Sequence, residues 1–172
     1  MTVEKYNLGA RWFHWTLAVL VILNLASGLL HEPLEKVVQL MTVHKSFGLT
    51  ILLVTIGRIV WRLRWKKPEL PDHVSPMERM VASTTHVVLY ALMLIMPLTG
   101  WIFSSAGKYP LSYFGLFLWP KLPISKDGPL AGPAHEGHEI LGWVMLALVV
   151  LHIAAALRHH FVLKDGILRR MM

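Results

Sequence analysis

The chain has 172 residues, of which 55% are hydrophobic and 16% charged, with a formal net charge of +7 and a mean hydropathy of +0.52. A water-soluble domain carries about 25% charged residues, so this composition calls for lipid as a solvent. The absence of cysteine excludes disulfide scaffolds, thiolate zinc sites, iron–sulfur clusters and covalent c-type haem attachment.

Four stretches are apolar enough to cross a hydrocarbon core, which takes about 20 helical residues: residues 12–30, 42–63, 81–103 and 138–161. The predicted fold is an all-α, integral membrane four-helix bundle occupying residues 1–172 as a single domain. The first stretch follows Lys5 and Arg11 and superficially imitates a signal peptide. Its length and its embedded Trp12, His14 and Trp15 predict a retained span. In the third, Pro97 is expected to loosen the helix near its end. The connection from residue 110 to 133 is itself apolar and is broken by Tyr109-Pro110-Leu111 and Trp119-Pro120, which reads as an interfacial lid. Gly166 is expected to stop the fourth helix. Trp61, Trp65, Trp101, Trp119 and Trp143 fall near helix ends, where indole rings anchor a span at the interface.

The lysines and arginines orient the bundle. Lys5, Arg11, Arg58, Arg62, Arg64, Lys66, Lys67, Arg79, Arg158, Lys164, Arg169 and Arg170 fall on the side holding both termini, and Lys36, Lys45, Lys108, Lys121 and Lys126 on the other. Twelve against five predicts both termini in the cytoplasm. The basic balance then belongs to topology and anionic lipid, and nucleic acid is not an expected partner.

An ionisable group inside a span is a candidate functional residue. Five of the ten histidines qualify: His14, His44, His86, His138 and His152. His31, His73, His135, His159 and His160 fall in loops or at helix ends. His138 and His152 are 14 residues apart, which returns to within about 40° of one helix face and separates them by about 21 Å. Alternating helix directions place His44 with His138 near one membrane face and His14 with His152 near the other. Two pairs at two depths is the geometry of two bis-histidine haems in a bundle. Four residues beyond these histidines stand Ala18, Gly48, Gly142 and Ala156, all small enough to leave room for a porphyrin, whereas Tyr90 follows His86 at that offset. A plain interhelical hydrogen bond accounts for one such histidine, and zinc usually gathers four ligands at one level. Imidazole also suits iron.

Trp12-Phe13-His14-Trp15, His44-Lys45-Ser46-Phe47-Gly48 leading to Arg58-Ile59-Val60-Trp61-Arg62, and His152 through Ala154-Ala155-Ala156-Leu157-Arg158-His159-His160 with Lys164-Asp165 resemble the bacterial cytochrome b561 family. Tyr113-Phe114-Gly115-Leu116 and the closing Leu168-Arg169-Arg170-Met171-Met172 extend the resemblance over nearly the whole chain. It implies a four-helix di-haem b protein of the bacterial inner membrane, exchanging electrons with ubiquinone. The superoxide oxidases of that family further imply superoxide oxidation at the periplasmic face. Carried onto this chain, the iron ligands are His14 with His152 and His44 with His138.

His159 lies seven residues after His152, within about 20° of its face and about 10 Å nearer the cytoplasm. It is a candidate quinone contact and proton donor, with His86 as its partner or alternative. Arg58 and Arg158 are candidates for balancing haem propionates or for reaching the headgroups. Lys45, next to His44, is the candidate for guiding superoxide, although Glu32, Glu35, Asp127, Glu136 and Glu139 balance the five lysines of that side. Two other readings stay open on the sequence: a haem-bearing membrane subunit of a dehydrogenase or hydrogenase complex, and a haem-free transporter or structural bundle.

Overall fold

The computed structural model describes residues 4–34, 40–65, 68–69 and 74–172. Glu35, Lys36, Lys66, Lys67 and His73 lie outside the described residues. The chain forms α1 (Leu8–Leu34), α2 (Leu40–Leu63), α3 (Pro76–Ala106), a two-stranded hairpin of β1 (Ser112–Tyr113) and β2 (Phe117–Leu118), and α4 (Ala131–Leu157). A π-helical turn, Arg158–Leu163, prolongs α4, and a 3₁₀ turn spans Leu168–Met171. All four long helices have the length and composition to cross a membrane.

α1 and α3 begin ahead of their apolar stretches because polar side chains cap them. Asn7 Oδ1 accepts the Ala10 N–H at 2.7 Å and caps α1. Ser75 and Glu78 form a reciprocal capping box ahead of α3, with Pro76 in the first turn where its missing N–H costs nothing. Pro97 sits buried inside α3, and the helix runs on to Ala106. The left-handed residue that closes the fourth span is Lys164 (φ 53°), not Gly166, which takes a second positive φ of 79° two residues later.

The buried core is small: Leu17 and Val21 from α1, Ile51 from α2, Leu92 and Met93 from α3 and Met145 from α4. Outward faces stay apolar, with Leu23, Leu53, Ile140, Val150 and Leu151 all exposed. Such a surface is stable only against lipid. On α4 the core residue Met145 stands midway between His138 and His152, so an apolar layer separates the two polar levels.

The two ends are closed differently. At one, the hairpin pairs Ser112 with Leu118 and Tyr113 with Phe117. Phe114 (φ 51°) and Gly115 (φ 77°) make its turn. Fully buried Ser46 accepts the Phe114 N–H at 2.8 Å, and Thr50 Oγ1 meets the Tyr113 hydroxyl at 2.9 Å, so the connection expected as a lid is pinned to the start of α2. At the other end the termini meet. The Tyr6 N–H donates to the Arg170 carbonyl (3.0 Å) and Trp15 Nε1 to that of Met171 (2.7 Å). The Arg170 side chain, 4% exposed, donates to the carbonyls of Glu4 and Glu69.

Candidate functional site

At the hairpin end, His44 on α2 faces His138 on α4 with ring centroids 6.0 Å apart. At the terminal end, His14 on α1 faces His152 on α4 at 6.2 Å. Metal–imidazole bonds of about 2.0 Å on each side of one ion put two ring centroids about 6 Å apart, so both pairs have the span of a bis-imidazole clasp. These are the two pairs expected from helix direction and spacing.

The hairpin-end rings are held by matching parts of α1 and α3. His44 Nδ1 lies 3.0 Å from the Asn24 carbonyl, and His138 Nδ1 lies 3.0 Å from the Met96 carbonyl. A carbonyl can only accept, so each Nδ1 carries the proton and each Nε2 keeps its lone pair for a metal. Ser27 Oγ stands 3.3 Å from His44 Nδ1, and Thr99 Oγ1 stands 3.1 Å from His138 Nδ1. Both hydroxyls donate to the same carbonyls the histidines use, at 2.8 Å. Gly28 and Gly100 then back the rings: an added Cβ would lie 2.9 Å from His44 Cε1 and 3.0 Å from His138 Cε1. Gly48 and Gly142 differ, since a Cβ there would meet nothing nearer than Asn24 Nδ2 at 3.8 Å and Met96 Cε at 3.7 Å. A Cβ at either of these last two positions would make only ordinary van der Waals contact, so neither glycine is held by a close neighbour.

Sequence reasoning missed Ser27-Gly28 and Thr99-Gly100. The signal was a hydroxyl residue followed by glycine near the same end of α1 and of α3, a correspondence visible only once each is known to face a histidine of the next helix.

The terminal-end pair has other company. Both Arg58 Nη atoms lie 3.5 Å from His14 Nδ1, at the outer limit of hydrogen bonding, so the guanidinium is a fixed positive charge beside the ring. Arg58 and Arg62 stand 5.2 and 5.5 Å from the centroid of the Tyr90 ring, within cation–π range. His86 stacks edge-on against His152 at 5.4 Å. It therefore lies beside the His14–His152 pair. Among the described residues, no three His, Asp or Glu side chains converge as a ligand set at either end.

His159 sits in the π turn, where its Nδ1 meets Asp165 Oδ2 at 2.5 Å. It lines a cavity of about 230 Å³ with Val74, Glu78, Leu163 and Asp165, and His86 is not among the lining residues. Arg158 points to Glu78 at 3.6 Å, an exposed pair of small energetic weight. At the hairpin end Lys45 is half-buried, and Lys121 Nζ donates to the carbonyls of Gly107 and Tyr109.

Residues 5–172 match the family model for prokaryotic cytochrome b561. The chain is 33% identical to cytochrome b561 homolog 2 of Escherichia coli K12, an alignment covering 99% of this chain and 93% of that one. It is 31% identical to a probable superoxide oxidase CybB of Yersinia pestis, covering 98% and 96% respectively. It is 28% identical to a cytochrome b562 of Cereibacter sphaeroides, covering 92% and 89%. With four membrane-length helices and two facing histidine pairs, the chain belongs to the prokaryotic cytochrome b561 family and is a haem b-binding electron-transfer protein of a bacterial membrane.

Proposed function

We propose that this protein is a superoxide:ubiquinone oxidoreductase of the inner membrane, with two haems b held by His14 with His152 and by His44 with His138. The observation that carries the reading is the pair of clasps, 6.2 and 6.0 Å between ring centroids, at opposite ends of one bundle. Haem bound by two imidazoles supplies one-electron exchange with no coordination position left for dioxygen. The apolar layer around Leu17, Ile51, Leu92 and Met145 keeps water from the space between the two levels. The chemistry balances as two superoxide anions each losing one electron to become dioxygen, and one ubiquinone taking up both electrons and two protons to become ubiquinol.

The excess of Lys and Arg at the terminal end orients that end to the cytoplasm, which leaves the hairpin end for superoxide. Lys45 is one helix position from His44 and is the guiding cation in this reading. For quinone, the cavity beside His159 is the favoured place. Asp165 accepts the Nδ1 hydrogen and fixes the ring, leaving Nε2 to donate a proton to the quinone and take its replacement from water. Support for superoxide as donor comes from the Yersinia pestis relative, whose name carries that activity.

The test is haem content by pyridine haemochrome, followed by pulse radiolysis of the oxidised protein with superoxide and a water-soluble ubiquinone. The expected result is about two b-type haems per chain, reduced by superoxide and reoxidised by quinone. A haem-loaded protein that superoxide does not reduce would remove the donor assignment. Co-purification of a soluble redox subunit would then favour the complex-subunit reading.

A further inference from the structure

The fourth span leaves the bundle through a hook that holds a second pocket, separate from the cavity beside His159. After the π turn, Lys164 at φ 53° and Gly166 at φ 79° turn the backbone, and the 3₁₀ turn Leu168–Met171 follows. His160, Phe161, Lys164, Gly166 and Arg169 line a pocket of about 220 Å³ within it.

The charges of this segment are sorted. Asp165 is the sole carboxylate side chain between residues 158 and 172. Its Oδ2 takes His159 Nδ1 and its Oδ1 accepts the Ile167 N–H at 3.1 Å, and the side chain is 7% exposed. Arg170 is turned the opposite way, into the carbonyls of Glu4 and Glu69. That leaves Lys164 and Arg169 at the pocket with His160, and among the described residues no carboxylate pairs with any of the three. An apolar ledge adjoins them: Phe161, which lines the pocket, is 65% exposed and Val162 is 72% exposed.

We propose that the hook binds the headgroup phosphate of an anionic phospholipid, with Lys164 and Arg169 donating to the phosphate oxygens and the acyl chains lying along Phe161 and Val162. Ammonium and guanidinium groups are the usual donors to phosphate, and a basic pocket at the end of a membrane helix is where lipid headgroups are recognised. Inorganic phosphate satisfies the cations but not the ledge, which is why lipid is the assigned occupant.

The experiment is native mass spectrometry of the haem-loaded protein in detergent, titrated with phosphatidylglycerol and separately with phosphatidylcholine. Phosphatidylglycerol adducts are expected to exceed phosphatidylcholine adducts by about five-fold or more, and Lys164→Asn and Arg169→Gln each to weaken them about five-fold. Asn tolerates the left-handed backbone at position 164. The conservative pair Lys164→Arg with Arg169→Lys is expected to retain binding, and unchanged haem absorption certifies that each variant is folded. Arg64→Gln, a charge removed at the same end outside the pocket, is expected to change nothing. Equal binding of the two lipids, indifference to the Lys164 and Arg169 substitutions, or an equal loss with Arg64→Gln would overturn the site. Displacement of the lipid by millimolar inorganic phosphate would overturn the lipid assignment in favour of a free anion.

Discussion

The two histidine pairs have nearly the same spacing, 6.0 and 6.2 Å, in opposite surroundings. At the hairpin end each ring is fixed by a backbone carbonyl, a hydroxyl and a glycine from a neighbouring helix. At the terminal end the rings meet Arg58 and a third imidazole, His86. One pair is oriented by the main chain and the other is tuned by side chains. A carbonyl acceptor on Nδ1 raises the electron donation of a ligating imidazole, whereas nearby positive charge favours a reduced iron. In the di-haem reading proposed above, the terminal-end site is therefore expected to have the higher potential, which would direct electrons from the hairpin end toward the termini.

The largest break in this comparison comes from the ligands. His44→Ala or His138→Ala is expected to remove one haem of two and leave the terminal-end spectrum, and His14→Ala or His152→Ala to do the reverse, as read by pyridine haemochrome and low-temperature absorption. Next come the glycines. Gly28→Val and Gly100→Val put a branched side chain where even a Cβ stands 2.9 or 3.0 Å from the imidazole. Loss of the hairpin-end haem alone is expected, with partial loss for the Ala variants; full occupancy in both Val variants would show that the rings are not seated against α1 and α3.

Arg58→Met sharpens the comparison from the other side. Removing a half-buried charge about 8 Å from an iron held by His14, at an effective dielectric constant near 20, changes its energy by roughly 2 kcal/mol. In potentiometric titration of the proposed di-haem protein this lowers the terminal-end midpoint by roughly 90 mV, with the hairpin-end midpoint unmoved. The smallest effect belongs to Ser27→Ala and Thr99→Ala. The carbonyls of Asn24 and Met96 still take the Nδ1 protons, so haem content should hold, and stability to heat should fall by about 1 kcal/mol or less.

The spans and the facing histidine pairs were legible because lipid imposes simple rules: about 20 apolar residues for a crossing, and a reason for every histidine inside one. The 14-residue step from His138 to His152 fixed two levels on one helix, and alternating direction assigned His44 and His14 to them. The surroundings were not legible in the same way. The carbonyls that hold His44 and His138 are backbone atoms of Asn24 and Met96, and no side-chain pattern announces a backbone acceptor. Arg58 and His86 were visible as residues, but their contacts with His14 and His152 depend on helix rotation, which a nearly uniform apolar sequence leaves undetermined. The left-handed turn at Lys164 was hidden for a related reason, because lysine seldom adopts that conformation and glycine at 166 drew the assignment.

The clasp at the terminal end has a consequence for biosynthesis. Arg170 ties together the carbonyls of Glu4 and Glu69, and its own carbonyl receives the Tyr6 N–H. Translation at about 5–20 residues per second separates Tyr6 from Arg170 by on the order of ten seconds or more. Throughout that interval the beginning of α1 and the α2–α3 connection wait without their shared partner, while all four helices enter the bilayer. Closure of the clasp is thus a late event, and it marks a chain whose spans have already been threaded.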